Sequence, residues 1–192
     1  MPEDITDYSF ETERLTITRL SSSDSLGLGL GLGLSNSVDK LHAKTGITEQ
    51  ICHIMSPQVT QSLPEGWQNI DTHHQAEIWM NEQIKQSCFH LIRLKTNNAL
   101  IGFMFIYHTE ANQTPFDIRI GYLIAEQYWG KGMATELIKG LINRCQLSSN
   151  IKSIIGGVEA ENIGSIKVLQ KNGFKLTDGE EEETLFYTYQ CQ

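Results

Sequence analysis

The sequence predicts a single-domain α+β fold in which strands and helices mix around one sheet. Strand-like and helix-like runs alternate along the chain, the pattern of a sheet packed against helices. A length of 192 residues with 40% hydrophobic content is enough for one well-buried core, so residues 1–192 read as one domain. The third observation is local: a strand-like run and a helix-like run meet at a glycine turn between Gln127 and Thr135.

Taken in order, the elements begin with helical patterns. Ile47 to Ser56 reads as a short helix stopped by Pro57, and Thr72 to Ser87 as a longer one carrying Ala76, Trp79, Met80, Gln83 and Ile84. Pro64-Glu65-Gly66-Trp67 is a turn. Phe89 to Leu94, Ala99 to His108 and Phe116 to Ile124 read as successive strands, with turns at Lys95-Thr96-Asn97-Asn98 and at Ala111 to Pro115. Leu137 to Cys145 is helix-like and Ile154 to Val158 is a buried strand. Asn162 then caps a helix that Gly173 ends, and Leu185 to Tyr189 is the terminal strand.

The turn carries the chemistry. In Gln127-Tyr128-Trp129-Gly130-Lys131-Gly132-Met133-Ala134-Thr135-Glu136, two glycines one residue apart open a helix. Glycine lets the main chain approach an anion closely, and the amides and positive dipole end of the helix stabilise its charge. A pyrophosphate is the expected ligand. A P-loop would place the lysine after the second glycine of Gly-x-x-x-x-Gly-Lys-Ser/Thr, whereas Lys131 stands between Gly130 and Gly132. A dinucleotide fingerprint would have a third glycine where Thr135 stands.

The pattern Gln-x-x-Gly-x-Gly, at Gln127, Gly130 and Gly132, resembles the acetyl-CoA loop of the GNAT superfamily of N-acetyltransferases. The strand Ile154 to Val158 followed by Asn162-Ile163-Gly164-Ser165 and by Gly173-Phe174 resembles that family's second signature. Phe10 to Leu20 is similar to the first strand of its ribosomal-protein-serine or -alanine acetyltransferase branch, and Leu100-Ile101-Gly102-Phe103 to its central hairpin. The poorly matching part runs from Leu26 to about Gln86. It contains a low-complexity Leu-Gly repeat, residues 26–34, whose alternation suggests a strand although the resemblance implies the first helix there, capped by Ser23 or Asp24. Each glycine costs a helix about 1 kcal/mol relative to alanine, so a weak helix or loose segment is expected, with no binding role.

The resemblance implies a central, mostly antiparallel sheet splayed at one strand pair, where the acetyl-CoA arm enters. Leu123, Ile124 and Ala125 would offer main-chain groups to the pantetheine, and Gln127, Trp129, Gly130, Lys131, Gly132, Met133, Ala134 and Thr135 would hold the pyrophosphate. Simple core packing also accounts for the first three. The implied reaction is acetyl transfer from acetyl-CoA to a primary amine, which needs a proton removed from the ammonium and hydrogen-bond support for the oxyanion and leaving thiolate. The family match assigns Ser165 to the thiol and Asn162 to the cofactor amide, with helix capping as the competing role of each.

The base departs from the family pattern. Relatives commonly carry a carboxylate directly before Ile-Gly-Tyr, here Ile120-Gly121-Tyr122, but that position is Arg119. Asp117, two residues away on the same strand face, would pair with Arg119 or serve as base. A glutamate between the last two strands is the other option, from Glu180-Glu181-Glu182-Glu183, with Glu182 and Glu183 the candidates; a solvated hairpin tip is the plainer reading of that run. The tyrosine acid of Asn-x-x-x-x-x-x-Tyr is excluded, because Leu169 occupies its place.

Composition narrows the partners. A net charge of −8 argues against nucleic acid, whose phosphates require a basic surface. No export signal or membrane-length apolar run is read, and Cys52, Cys88, Cys145 and Cys191 lack paired spacing, so a soluble cytoplasmic protein with reduced thiols is expected. His73-His74 and Cys52-His53 lack ligand spacing, and no metal is expected. Three functions follow: acetylation of a protein N-terminus, as in ribosomal protein acetylation; acetylation of a small amine such as a polyamine or amino acid; or non-catalytic acyl-CoA binding. Relatives being monomers or dimers, the aromatic terminal strand, with Phe186, Tyr187 and Tyr189, suggests a monomer or a homodimer that pairs or packs through it across a two-fold axis.

Overall fold

A computed structural model describes residues 7–21, 37–61, 63, 65–109, 115–181 and 184–191. The Leu-Gly repeat, its expected caps Ser23 and Asp24, and the base candidates Glu182 and Glu183 lie outside the described residues. The described strands are β1 (Phe10–Glu11), β2 (Leu15–Arg19), β3 (Cys88–Leu94), β4 (Leu100–His108), β5 (Phe116–Ile124), β6 (Ile151–Glu159), β7 (Lys175–Glu181) and β8 (Thr184–Gln190). They form one sheet in the order β1-β2-β3-β4-β5-β6-β8-β7. Every neighbouring pair is antiparallel except β5 with β6.

Alternate residues of each strand feed two cores, one on each face. On the first face Ile118, Ile120 and Ile124 of β5 and Ile154 of β6 pack with Leu137, Ile138 and Leu141 of helix α4 (Met133–Gln146) and Leu169 of α5 (Ile163–Lys171). On the second, Phe89, Phe103 and Phe105 meet Ile47, Ile51 and Ile54 of α1 (Ser37–Ile54) and Ala76, Trp79 and Met80 of α3 (His73–Gln86). Trp79 stands edge-on to Phe89, 5.7 Å between centroids, in the edge-to-face arrangement aromatic rings favour. The helices of the second face cover the β3 and β4 half of the sheet, so Arg119 of β5 and Gly157 of β6 stay exposed there.

Several boundaries differ from the sequence expectation for local reasons. The run Phe10 to Leu20 is two strands, because Thr12 N–H donates to Leu15 O at 2.9 Å and Leu15 N–H to Thr12 Oγ1 at 3.0 Å, closing a turn at Glu13 and Arg14. Pro57 starts a helix, α2 (Pro57–Thr60), as well as following one, since a proline at the first helical position lacks an N–H that would have had no partner. Thr72 caps α3 through a reciprocal capping box with Gln75. α5 ends in a Schellman motif: Gly173, at φ +83°, donates to Gln170 O, and Phe174 N–H to Leu169 O. β8 lies between β6 and β7, so its edges are already occupied and it cannot pair with a second copy. Among the described residues no helix is long and apolar enough to cross a membrane.

Candidate active site

The site starts where the parallel seam fails to close. β5 and β6 pair through Arg119↔Ile155 and Ile120↔Gly156, and the ladder stops there, although β5 runs on to Ile124 and β6 to Glu159. On its other side β5 stays paired to β4 as far as Ile124↔Gly102. The two parallel strands therefore diverge from a vertex at Ile120 and Gly156 and leave main-chain groups facing a gap. Gly102 is required beside that opening, since a Cβ there would run into the Leu123 carbonyl. Of the three residues expected to serve the gap, each has a main-chain group engaged elsewhere: Leu123 lies opposite Phe103, two positions from the Ala125–Ile101 bond, and so turns its groups toward β4. Ala125 N–H donates to Ile101 O at 2.8 Å, and Ile124 O accepts the Trp129 indole N–H at 2.6 Å.

From the end of β5 the chain turns into the helix through a 3-10 segment, Glu126–Tyr128, which leaves Gln127 exposed. Gly130 and Gly132 take φ of +71° and +78°, values that side chains rarely tolerate, so the Gly-x-Gly spacing is a conformational requirement. Gly132 is the N-cap of α4, and Glu136 N–H makes the first helical bond back to Gly132 O at 3.0 Å. The amides of Met133, Ala134 and Thr135 precede that bond and have no intrahelical acceptor, a ready cradle for an anion. Lys131 is exposed beside them, its ammonium 5.6 Å from the centre of the Tyr128 ring.

A residue that motif reading did not single out braces this loop. Arg14, at the β1–β2 turn, donates from Nε to Glu136 Oε2 at 2.6 Å, from its main chain to Oε1 at 2.8 Å, and from Nη1 to Lys131 O at 3.1 Å. Thr12 Oγ1 donates to the same carboxylate at 2.6 Å. Burial pushes the Glu136 carboxyl up, but the Thr12 and Arg14 bonds outweigh it and hold the group below the usual carboxylate value. The only advance signal was an arginine inside a run read as one strand, which by itself names no partner.

Asn162 and Ser165 meet at the start of α5. Asn162 Oδ1 accepts Ser165 N–H at 3.0 Å, so the side-chain oxygen caps the helix while its amide nitrogen is left to other partners. One side chain can thus hold both roles that seemed to compete. Ser165 receives the cap through its backbone, and its hydroxyl does no capping. That hydroxyl approaches Tyr122 of β5, whose oxygen is buried without an aligned hydrogen-bond partner. Burial pushes the Tyr122 phenol up to about 12, and the Ser165 hydroxyl pulls the other way. Tyr122 was missed because a hydrophobic strand explains a tyrosine without chemistry.

The remaining candidates lie on the opposite, open face. Asp117 Oδ1 accepts Ser153 Oγ at 2.7 Å, and the pair with Arg119 is not formed. Asp117 sits three residues before the vertex, about 10 Å along the strand. Arg119 lies over the Phe186 ring, 5.8 Å from its centroid. Glu181 pairs with Thr184 across the β7–β8 hairpin, beyond Phe186.

A seam of this shape, a positive-φ glycine turn and a capped Asn-x-x-Ser helix lie together on one sheet. The family model for the acetyltransferase (GNAT) domain matches residues 43–175. The chain belongs to the GNAT acetyltransferase family. Among curated proteins, this GNAT chain is 41% identical over 56 residues to an uncharacterized N-acetyltransferase p20 of Bacillus licheniformis, covering 29% of this chain and 32% of that one. It is 29% identical over 112 residues to the probable N-acetyltransferase YjcK of Bacillus subtilis, covering 57% and 58% respectively. The matched segments thus span less than two thirds of either relative.

Solved structures agree on the fold. A GNAT-family acetyltransferase from Bacillus anthracis superposes with TM-score 0.69 at 18% identity, over 95% of this chain and 98% of that one. RimL, a ribosomal L7/L12 alpha-N-protein acetyltransferase solved with coenzyme A, gives 0.67 at 15% identity over 93% and 95%. The ribosomal-protein-S5-alanine acetyltransferase of Vibrio fischeri gives 0.62 at 15% identity over 95% and 96%.

Proposed function

We propose that this protein transfers the acetyl group of acetyl-CoA to the α-amine of a protein or peptide N-terminus. The observation that carries the choice of amine is Arg119, a cation one rung from the vertex and exposed on the sheet face that the second-face helices leave open, which this reading takes as the acceptor side. An ammonium cannot attack a thioester, so the acceptor has to be neutral when it arrives. A nearby guanidinium discourages cationic acceptors and favours amines that deprotonate easily. An α-amine, with pKa about 7.7–8.0, is neutral for roughly a tenth of the time at pH 7; a lysine-type amine, near 10.4, for less than about one part in a thousand. No strong base at the vertex is then needed, and water led to Asp117 suffices.

In this reading the pyrophosphate rests on the amides that follow Gly130 and Gly132, and the pantetheine completes the open seam. The amine nitrogen bonds to the thioester carbon, the carbon–sulfur bond breaks, and the sulfur leaves as thiolate supported by the Ser165 hydroxyl. The nitrogen, once bonded to carbon, gives up one N–H proton, which passes through water toward Asp117 and solvent. Cytoplasmic location follows from acetyl-CoA as co-substrate. Support for the acceptor class comes from two fold neighbours named as ribosomal-protein acetyltransferases, one of them an alpha-N-protein acetyltransferase.

Acetyl-CoA turnover against peptide N-termini, polyamines and free amino acids tests the proposal. Peptides acetylated only at the α-amine support it; turnover confined to small amines replaces it with the small-molecule reading. Acetyl-CoA binding without turnover of any amine would leave an acyl-CoA-binding module.

A further inference from the structure

Arg119 has a second consequence, which rests on the acetyl-transfer reading above. Its strand neighbours on the open face are Tyr107 of β4 and Ile155 of β6. Phe186, across β6 on β8, supplies the ring beneath the guanidinium, and Gly157 opposite Phe186 is exposed and carries no side chain to cover it. A guanidinium over an aromatic face gains cation–π attraction while its N–H groups stay available to a planar anion. Asp117, on the same face, spends its Oδ1 on Ser153. Among the described residues no carboxylate is in ion-pair contact with Arg119.

A permanent cation in that position, over the Phe186 ring but without a counter-charge among the described residues, suits an anion brought by the substrate. We propose that Arg119 binds a carboxylate that the acceptor carries close to its reacting amine, so the preferred acceptor is a peptide whose second residue is acidic. The distances agree with that register. Arg119 is one residue from the vertex, about 3.3 Å along the strand, and adjacent α-carbons of a peptide are about 3.8 Å apart. A carboxylate on the second residue is within reach of the guanidinium when the α-amine stands at the vertex. Two parallel N–H···O bonds from one arginine to one carboxylate would fix the direction in which the peptide enters.

The test uses the full chain, saturating acetyl-CoA and three peptides that differ only at the second residue: Ser-Glu, Ser-Gln and Ser-Lys followed by a common neutral sequence. The quantity read is kcat/KM for each. Wild type should favour the glutamate peptide over the glutamine peptide by roughly ten- to hundredfold, the range of one charge-assisted bond, and the lysine peptide should be poorest. Arg119→Gln should bring the glutamate-to-glutamine ratio close to one, and Arg119→Glu should reverse the order toward lysine. Acetylation of all three peptides at equal kcat/KM by wild type overturns the inference and leaves N-terminal acetylation standing. A glutamate preference that survives Arg119→Gln overturns the assignment to Arg119. Turnover of no peptide at all defeats this inference together with the reading on which it rests.

Discussion

Arg14 and Glu136 are 122 positions apart and joined at 2.6 Å, the guanidinium Nε donating to a carboxylate in the first turn of α4. That turn is where the backbone amides wait for a phosphate, and a bare carboxylate there would repel it. The arginine cancels the charge and, through Lys131 O, also ties the glycine loop to the β1–β2 turn. Two jobs therefore meet in one side chain: neutralising the helix entrance and setting the loop's position.

Arg14→Gln should weaken binding of coenzyme A roughly tenfold, the scale of a hydrogen bond to a charged group. Adding Glu136→Gln to that variant should recover part of the loss by removing the stranded charge. Calorimetric titration with coenzyme A separates the outcomes, and unchanged affinity in Arg14→Gln would show that the ion pair serves the fold alone.

Gly132→Val should abolish cofactor binding and leave the protein folded. A β-branched residue at φ +78° is strained by about 1–2 kcal/mol or more, and relief of that strain moves the amides that follow. Circular dichroism and acetyl-CoA titration measured together check it. Binding as tight as wild type would remove the loop from the cofactor site.

Ser165→Ala should lower kcat ten- to hundredfold with little change in acetyl-CoA affinity, because a hydroxyl beside the leaving sulfur matters most as charge builds there. Tyr122→Phe should not destabilise the fold, since its buried oxygen has no aligned partner to lose. If the two hydroxyls act together, Tyr122→Phe also lowers kcat, and the double variant loses less than the product of the single losses. Steady-state kinetics on all three variants decides; an unchanged kcat in Ser165→Ala would return Ser165 to a purely structural place in α5.

Stability should fall in acid through a buried histidine as well as through Glu136. Burial drives His90 from 6.5 to about 4, the Cys88 carbonyl pulling the other way. Its folded pKa lies below the unfolded one, so the unfolded chain takes up the proton first and stability declines as pH falls from 6.5 toward 4, by up to about 3 kcal/mol. Glu136, depressed in the fold, adds its loss at lower pH, below the usual carboxylate range, as it protonates. Denaturant titrations between pH 7 and 4 should show a slope that His90→Gln removes; a wild-type profile flat over that interval would contradict the assignment.

Local chemistry was legible in the sequence, and chemistry assembled across the fold was not. The Gly130 and Gly132 turn, the Asn162 cap and the Gly173 stop each depend on neighbours within a few residues, and each has the conformation its residue types demand. The β1–β2 turn was hidden because two short extended runs with no glycine or proline between them look like one strand. Arg14 and Tyr122 were hidden for a different reason: what they do depends on partners 122 and 43 positions away, and no spacing rule reaches that far. The expected Asp117–Arg119 pair is not formed; Asp117 instead accepts from Ser153 on the adjacent strand, a partner that no spacing along β5 announces.

The early end of the β5–β6 ladder has a consequence for how such a protein can be probed. Recognition written in N–H and C=O groups belongs to every residue type but proline, so replacing side chains along Gly121–Ile124 or Gly157–Glu159 reports mainly on packing. A conventional alanine scan would pass over this surface in silence. Amide-to-ester replacement, or amide exchange followed with and without coenzyme A, addresses the atoms themselves and would read the recognition surface directly.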